Sequence, residues 1–130
     1  MAALPLTALL LRAGGPDATR VSGASLTLAT VRDAVRGLAG GDLHLEGPGD
    51  ATLVVGGGPT AFFVHATFDN EAFAVPVLPG AGAEPVVLMV AGRPAAFPAH
   101  SVLDAETTVA IALRWATTLE LDASLEWRTT

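Results

Sequence analysis

The chain has 130 residues, the length of one ordinary domain, and its thirteen acidic and seven basic residues give a formal net charge of −6. Cysteine and lysine are absent, which excludes disulfides, thiolate metal sites, a P-loop lysine and Schiff-base chemistry. The negative charge opposes non-specific nucleic-acid binding and favours basic protein partners, although the same charge would simply keep an apolar, lysine-free domain in solution.

The first predicted element is a strand at about residues 6–12, which Gly14, Gly15 and Pro16 bring to an end. The apolar run at residues 4–11 is much shorter than a bilayer crossing requires. No basic residue precedes this run and a proline lies within it, so we expect neither a secretion signal nor a membrane segment here.

The next element is an amphipathic helix with one apolar side. Its apolar residues recur at three- and four-residue spacing, at Leu28, Val31, Val35 and Leu38. Thr27 is placed to cap the start of this helix, and Gly40 and Gly41 are placed to end it. The apolar side should therefore pack on a sheet.

Between residues 50 and 90 the period of the apolar residues changes to two, which predicts an antiparallel meander. Strands are expected at about residues 51–55, 61–68, 72–78 and 85–90, with a polar hairpin turn at residues 68–71. Pro76 cannot donate to a β-ladder, so its strand should lie at an edge or contain a bulge.

A second helix is predicted at about residues 105–118, with Asp104 as its N-cap and Glu106 in its first turn. The predicted buried stripe of this helix consists of Val109, Ala112, Leu113 and Ala116. Residues 119–127 then alternate apolar with acidic or polar side chains, which predicts a final strand. The elements together predict an α+β fold, with an antiparallel sheet of about five to six strands and two main α-helices on one face, as a single domain of residues 1–130.

The residues with chemical potential form no recognisable catalytic or metal-binding pattern. His44, His65 and His100 lie far apart in the sequence and lack metal-ligand spacing. The serines and threonines occur without a nucleophile elbow. We therefore expect no catalytic residue, no metal and no cofactor, and we do not expect an enzyme.

The acidic residues are the candidate contact residues. Asp42, Glu46 and Asp50 gather in a glycine-rich segment that we expect to be a loop, and Asp69 and Glu71 mark the hairpin turn. Two such loops at one end of the sheet would present a negative patch to a basic partner and accelerate association. Ordinary turn composition explains the same residues without a function.

Both tryptophans are expected in the core, Trp115 beside the stripe of the second helix and Trp127 at the apolar side of the last strand. If Trp127 is buried, its replacement by alanine should cost about 3–5 kcal/mol.

The last third of the chain carries a family resemblance. Its order of elements resembles the first family of immunity proteins (Imm family) of bacterial polymorphic-toxin systems, over about residues 25–128. The features that carry the resemblance are a small-polar turn, a Phe-Pro pair, an aromatic and a threonine on the helix and a C-terminal tryptophan: Gly92, Phe97, Pro98, Trp115, Thr118 and Trp127. The family usually has glycine after that threonine, where this chain has Leu119.

The resemblance implies a cytoplasmic antidote that binds a co-encoded toxin, often a nucleic-acid deaminase or another nucleic-acid-modifying enzyme, and blocks its active site. It implies a protein partner and neither nucleic acid nor membrane, in a monomer or weak homodimer. The marker residues Phe97, Pro98, Trp115 and Trp127 would support the fold and would not identify the interface.

Two other classes of function stay open from the sequence. One is a small-molecule-binding or enzymatic domain with a pocket between sheet and helices. The other is a self-associating module that buries the second face of its sheet, on which Phe63 would lie. A ligand domain should change its melting temperature with a metabolite, and a self-associating module should depend on protein concentration.

Overall fold

A computed structural model describes residues 4–13, 17–68, 73–80 and 82–129 of the chain. The elements within these residues, in chain order, are β1 (Ala8–Arg12), β2 (Thr19–Val21), α1 (Leu28–Arg36), β3 (Gly41–Glu46), β4 (Thr52–Gly57), β5 (Phe62–Thr67), β6 (Phe73–Val77), β7 (Val86–Val90), β8 (Arg93–Phe97), β9 (Val102–Leu103), α2 (Ala105–Thr118) and β10 (Glu126–Thr129). Short 3-10 turns at Gly23–Ser25 and Ala99–Ser101 precede α1 and β9.

The described strands divide into a large antiparallel sheet and a separate hairpin. Eight strands form the large sheet in the spatial order β10-β6-β5-β4-β3-β1-β2, with β9 paired to the start of β5. The hairpin consists of β7 and β8. The predicted α+β class, antiparallel sheet and pair of helices are confirmed, but the predicted number of strands was too low.

The main core lies between one face of the large sheet and the two helices. Alternate residues of the central strands point into it, among them Leu43, Leu45, Leu53 and Val64, all fully buried. Trp115 of α2 is also fully buried, and its indole N–H donates a hydrogen bond of 3.0 Å to the carbonyl oxygen of Leu45. Helix α2 is thereby fixed to the middle of the sheet by apolar contact and by this hydrogen bond.

Both helices begin at the residues that the sequence predicts. The Thr27 hydroxyl accepts from the Thr30 N–H at 3.2 Å at the start of α1, and an Asp104 carboxylate oxygen accepts from the Thr107 N–H at 2.8 Å at the start of α2. Helix α1 ends earlier than predicted, with Gly37 as its C-cap. Leu28 is exposed, so the predicted apolar stripe is wrong at the first turn of that helix.

The strands that the sequence did not predict lie in segments with many glycines, prolines and charged residues. β3 includes Asp42 and Glu46, which we expected in a loop, while Leu43 and Leu45 between them point into the core. β8 begins directly after the small-polar turn at Gly92, in a segment for which we predicted no strand. The local composition of these segments is typical of turns, and it does not reveal which strands lie beside them.

The predicted final strand at residues 119–127 is mostly wrong, because β10 begins only at Glu126. Leu119 ends α2 in the left-handed conformation, with φ of 55°, and its N–H donates to the Trp115 carbonyl oxygen at 2.8 Å. The Asp122 carboxylate accepts from both the backbone N–H and the hydroxyl of Ser124, which forms a turn. The alternation of residues 119–125 therefore belongs to a loop.

Leu119 takes the backbone conformation for which the family's usual glycine is suited. A left-handed conformation costs a non-glycine residue about 1–2 kcal/mol. The Leu119 side chain lies directly over Gly47, since a Cβ added there would be 2.8 Å from Leu119 Cδ2. Packing against the β3–β4 loop therefore offsets part of the backbone cost.

The β7–β8 hairpin covers one end of the sheet face opposite the helices. Val90 lies over Gly56 of β4, and the rings of Phe97 and Phe63 stack with centroids 4.3 Å apart. The prediction that residues 85–90 continue the meander is therefore wrong. The β5–β6 ladder ends at the pair Ala66 and Ala74, before it reaches Pro76. Pro76 therefore does not interrupt the pairing of β6 with β5.

Candidate functional site

The half of the helix-free sheet face that the β7–β8 hairpin leaves uncovered is the candidate functional site, hereafter the open face. Its strands were predicted only in part, and its residues are distant in sequence. Strand pairing places His44 opposite Val54, and Val54 opposite His65. Pairing on the other side of β3 places Leu10 opposite both His44 and Arg20. The open face therefore combines histidine, arginine and aliphatic side chains from several strands.

A buried carboxylate organises the β1–β3 side of this face. Oδ2 of Asp42 lies 3.1 Å from Arg12 Nη2 and 2.7 Å from His44 Nε2. Because a carboxylate only accepts, His44 Nε2 carries the hydrogen at the shorter contact. The Asp42 side chain is 6% exposed, whereas the Arg12 side chain is 44% exposed. A partner approaching this part of the face therefore meets the guanidinium before the carboxylate.

The predicted contact residues occupy different environments. Asp42 and Glu46 lie on β3 and not in a loop; Glu46 forms an ion pair of 3.6 Å with Arg20 of β2. Asp50 is exposed in the β3–β4 loop, as expected. Asp69 and Glu71 lie outside the described residues. The structure brings Asp42 and Glu46 to the open face, and the role of all five residues in binding stays a prediction.

An apolar groove of about 280 Å³ opens on the β5–β6 side of the open face. It is lined by Phe63, His65, Phe73 and Val75. The Phe73 ring meets the His65 imidazole edge-on, with centroids 5.1 Å apart, and Phe73 is 41% exposed. The groove lies on the side of the sheet away from the helices, unlike the sheet–helix pocket considered from the sequence.

His65 gives this apolar groove a single polar centre. Burial lowers the pKa of His65 from its ordinary value, and the neighbouring His44 lowers it further. Its Nδ1 atom is buried and has no hydrogen-bond partner among the described residues. The groove is thus lined by an imidazole whose lowered pKa favours the neutral form and whose Nδ1 atom is closed to solvent.

A second, acidic surface lies at the end of the sheet beside the β3–β4 loop. The contact between Leu119 and Gly47 brings this loop next to the segment that follows α2. Asp50 is exposed in the first segment, and the Glu120 side chain is 64% exposed in the second. The C-terminal end of α2 adds negative partial charge at the same place. We call Asp50, Glu120 and Asp122 the acidic end.

The described residues do not assemble a metal site. No group of three or more histidine, cysteine, aspartate or glutamate side chains among them has a metal-binding arrangement. His100 lies in the turn before β9, apart from His44 and His65 on the central strands. No helix in the described part of the chain is long and apolar enough to cross a membrane.

Sequence reasoning anticipated a second sheet face at Phe63, but it missed the β3 side of the open face because it treated β3 as a loop. The signal was present in the order Asp42-Leu43-His44-Leu45-Glu46, which has the period of a strand with one apolar face. No sequence signal indicated that Arg20 and His65 share that face, because their relation depends on five paired strands.

Comparison with known proteins identifies a family for almost the whole chain. The family model described as Immunity protein Imm1 matches residues 16–129. No curated protein and no solved structure matches the chain.

Proposed function

The chain belongs to the Imm1 family of immunity proteins, and on that premise we propose that it is the antidote to a co-encoded polymorphic toxin. It binds the toxin domain and blocks its active site, without turnover. The toxin we propose is a nucleic-acid-modifying enzyme such as a deaminase. The observation that carries the proposal is the family match over residues 16–129.

The surface of the chain supports a role in binding. The open face combines an apolar groove with partly exposed charged groups, a composition suited to a protein interface with a buried centre and a polar rim.

The proposed function predicts specific rescue of a poisoned cell. The toxin domain encoded beside the gene for this chain should stop growth of a bacterial host when expressed alone. Co-expression of this chain should restore growth, because the bound toxin has no accessible active site. Colony counts measure the rescue, and a toxin domain of a different polymorphic system serves as the control.

Growth arrest that persists despite soluble, folded antidote and co-expressed neighbouring toxin would contradict the proposed function. Rescue from the unrelated toxin as well would indicate a general effect on the host, and would also contradict it.

The acidic end is our proposed site for the first encounter with a basic toxin. Replacement of Asp50 by lysine should slow association with the toxin at low salt, because it removes long-range attraction while leaving dissociation nearly unchanged. Surface plasmon resonance at two salt concentrations measures both rates. Asp17→Lys, at another exposed acidic position, is the matched control. An association rate that is insensitive to both salt and Asp50→Lys would exclude this surface.

A further inference from the structure

One row of side chains crosses the open face from edge to edge and alternates basic with aliphatic residues. Its basic members are Arg20, His44, His65 and Arg128. Leu10 and Val54 separate the first three, and Val75 lies opposite Arg128 and shares the groove with His65. At an inter-strand spacing of about 4.8 Å, the row is about 29 Å long. We call it the basic row.

The two ends of the row present guanidinium groups to solvent. The Arg20 side chain is 57% exposed, and its ion pair with Glu46 has a distance of 3.6 Å. Such an exposed pair contributes little stability and is readily exchanged. Arg128 is exposed and forms no ion pair with another described residue. Both guanidiniums are therefore available to a partner.

The two β3 carboxylates on the same face are less accessible than the Arg20 guanidinium. The Asp42 side chain is almost completely buried beside Arg12 and His44, and the Glu46 side chain is 31% exposed. Glu126 is exposed at the β10 edge, but it lies opposite Val77 and outside the row. Although the whole chain is acidic, the row presents guanidinium groups at its ends and imidazole and aliphatic groups between them.

We propose that the basic row binds a segment of the toxin in which carboxylate side chains alternate with apolar ones. The inference rests on the proposed function and adds the chemistry of the contact. Apolar side chains of the segment fill the groove between Phe63 and Val75, against the His65 ring. Carboxylates of the segment pair with Arg128 and Arg20 in the fork geometry that guanidinium favours.

Other occupants fit this face less well. Nucleic acid requires an excess of cations, whereas the chain has a net charge of −6 and the arginines of this face are interspersed with carboxylates. If a second copy of the chain docked through its own basic row, two rows of like charge would lie near one another. Only its acidic end would have the opposite charge. Charge complementarity therefore favours an acidic and apolar protein segment.

Charge reversal of the arginines tests the proposal with the purified neighbouring toxin domain as the probe. We expect Arg128→Glu to weaken binding at least about tenfold, mainly through faster dissociation, and Arg20→Glu to act in the same direction. Arg128→Lys should keep most of the affinity because it keeps the charge. Arg32→Glu on the exposed side of α1 is the matched control, since it changes the net charge equally on the helix side.

Calorimetry gives the affinities, and thermal unfolding of each variant confirms that these exposed substitutions leave the fold intact. A charge-reversal scan of toxin carboxylates should identify one lysine substitution that restores binding to Arg128→Glu.

Equal affinities for Arg128→Glu and Arg32→Glu, or self-association of the chain that Arg128→Glu abolishes, would overturn the inference while the proposed function stands. Failure of the unaltered chain to bind the toxin at all would overturn both.

Discussion

Replacement of Trp115 by alanine should lower the free energy of unfolding by about 3–5 kcal/mol, the range for deleting a large aromatic side chain from a close-packed core. Trp115 is fully buried at the centre of the interface between α2 and the sheet, and Phe68 packs against its ring at a centroid distance of 5.4 Å. The substitution also leaves the Leu45 carbonyl oxygen without its indole donor. A small domain has only about 5–15 kcal/mol of stability, so much of it would be lost.

Urea denaturation followed by fluorescence and circular dichroism measures this effect. Trp115→Phe is the informative companion, because it retains an aromatic ring and removes the indole N–H; it should cost less than the alanine variant. Trp127→Ala should also cost less, since Trp127 is only half-buried at the edge of the sheet and its indole N–H bonds to the Asp122 carbonyl oxygen. A midpoint for Trp115→Ala equal to that of the unaltered chain would show that this account of the core is wrong.

Replacement of Gly41 by alanine should destabilise the chain by about 3 kcal/mol, near the upper end for steric overpacking. A Cβ at this position would overlap the backbone oxygen of Arg12 and would lie 3.0 Å from the Cα of Ala13. These are backbone atoms of β1 and of the residue that follows it, so they move only if the β1–β3 pair separates. The cost is therefore steric, since it does not depend on a left-handed backbone.

Gly82→Ala is the control for this substitution, because among the described residues no atom beyond its chain neighbours lies within 4 Å of the added methyl group. Its stability should change by less than about 0.5 kcal/mol. Thermal or urea unfolding of the two variants gives the comparison. If Gly41→Ala proves as stable as Gly82→Ala, β1 and β3 do not approach as closely as described.

A substitution at Gly41 would affect the open face as well as the free energy of unfolding. It directly precedes Asp42, whose carboxylate holds Arg12 of the adjacent strand. The same close approach of β1 and β3 that excludes a Cβ places the two side chains within 3.1 Å. Variants at Gly41 should therefore be avoided in binding experiments, because they would disturb the contact surface and the fold together.

Local sequence patterns predicted the helices well because their main determinants lie within a few residues. Thr27 and Asp104 cap the helices that follow them, and α2 occupies the predicted residues. The same patterns predicted several core strands, including the alternation of Phe62, Val64 and Ala66. These patterns failed for residues 119–125, whose sequence alternates like that of a strand although Asp122 and Ser124 form a turn there.

The candidate contact residues show what local sequence patterns do not predict. The sequence identified Asp42 and Glu46 as an acidic group, but the structure pairs each of them with an arginine from another strand. Whether a carboxylate is presented to a partner depends on the strand beside it, and no local pattern contains that information.

The sequence by itself determined where both helices begin, the absence of thiol and lysine chemistry, and the family resemblance, which the match over residues 16–129 confirms. Only the tertiary structure decided that the β7–β8 hairpin leaves half of one face uncovered, and that Arg20, His44, His65 and Arg128 lie in one row across it. The physical reason is that helices and caps arise from neighbouring residues, whereas sheet order and register arise from contacts between distant ones.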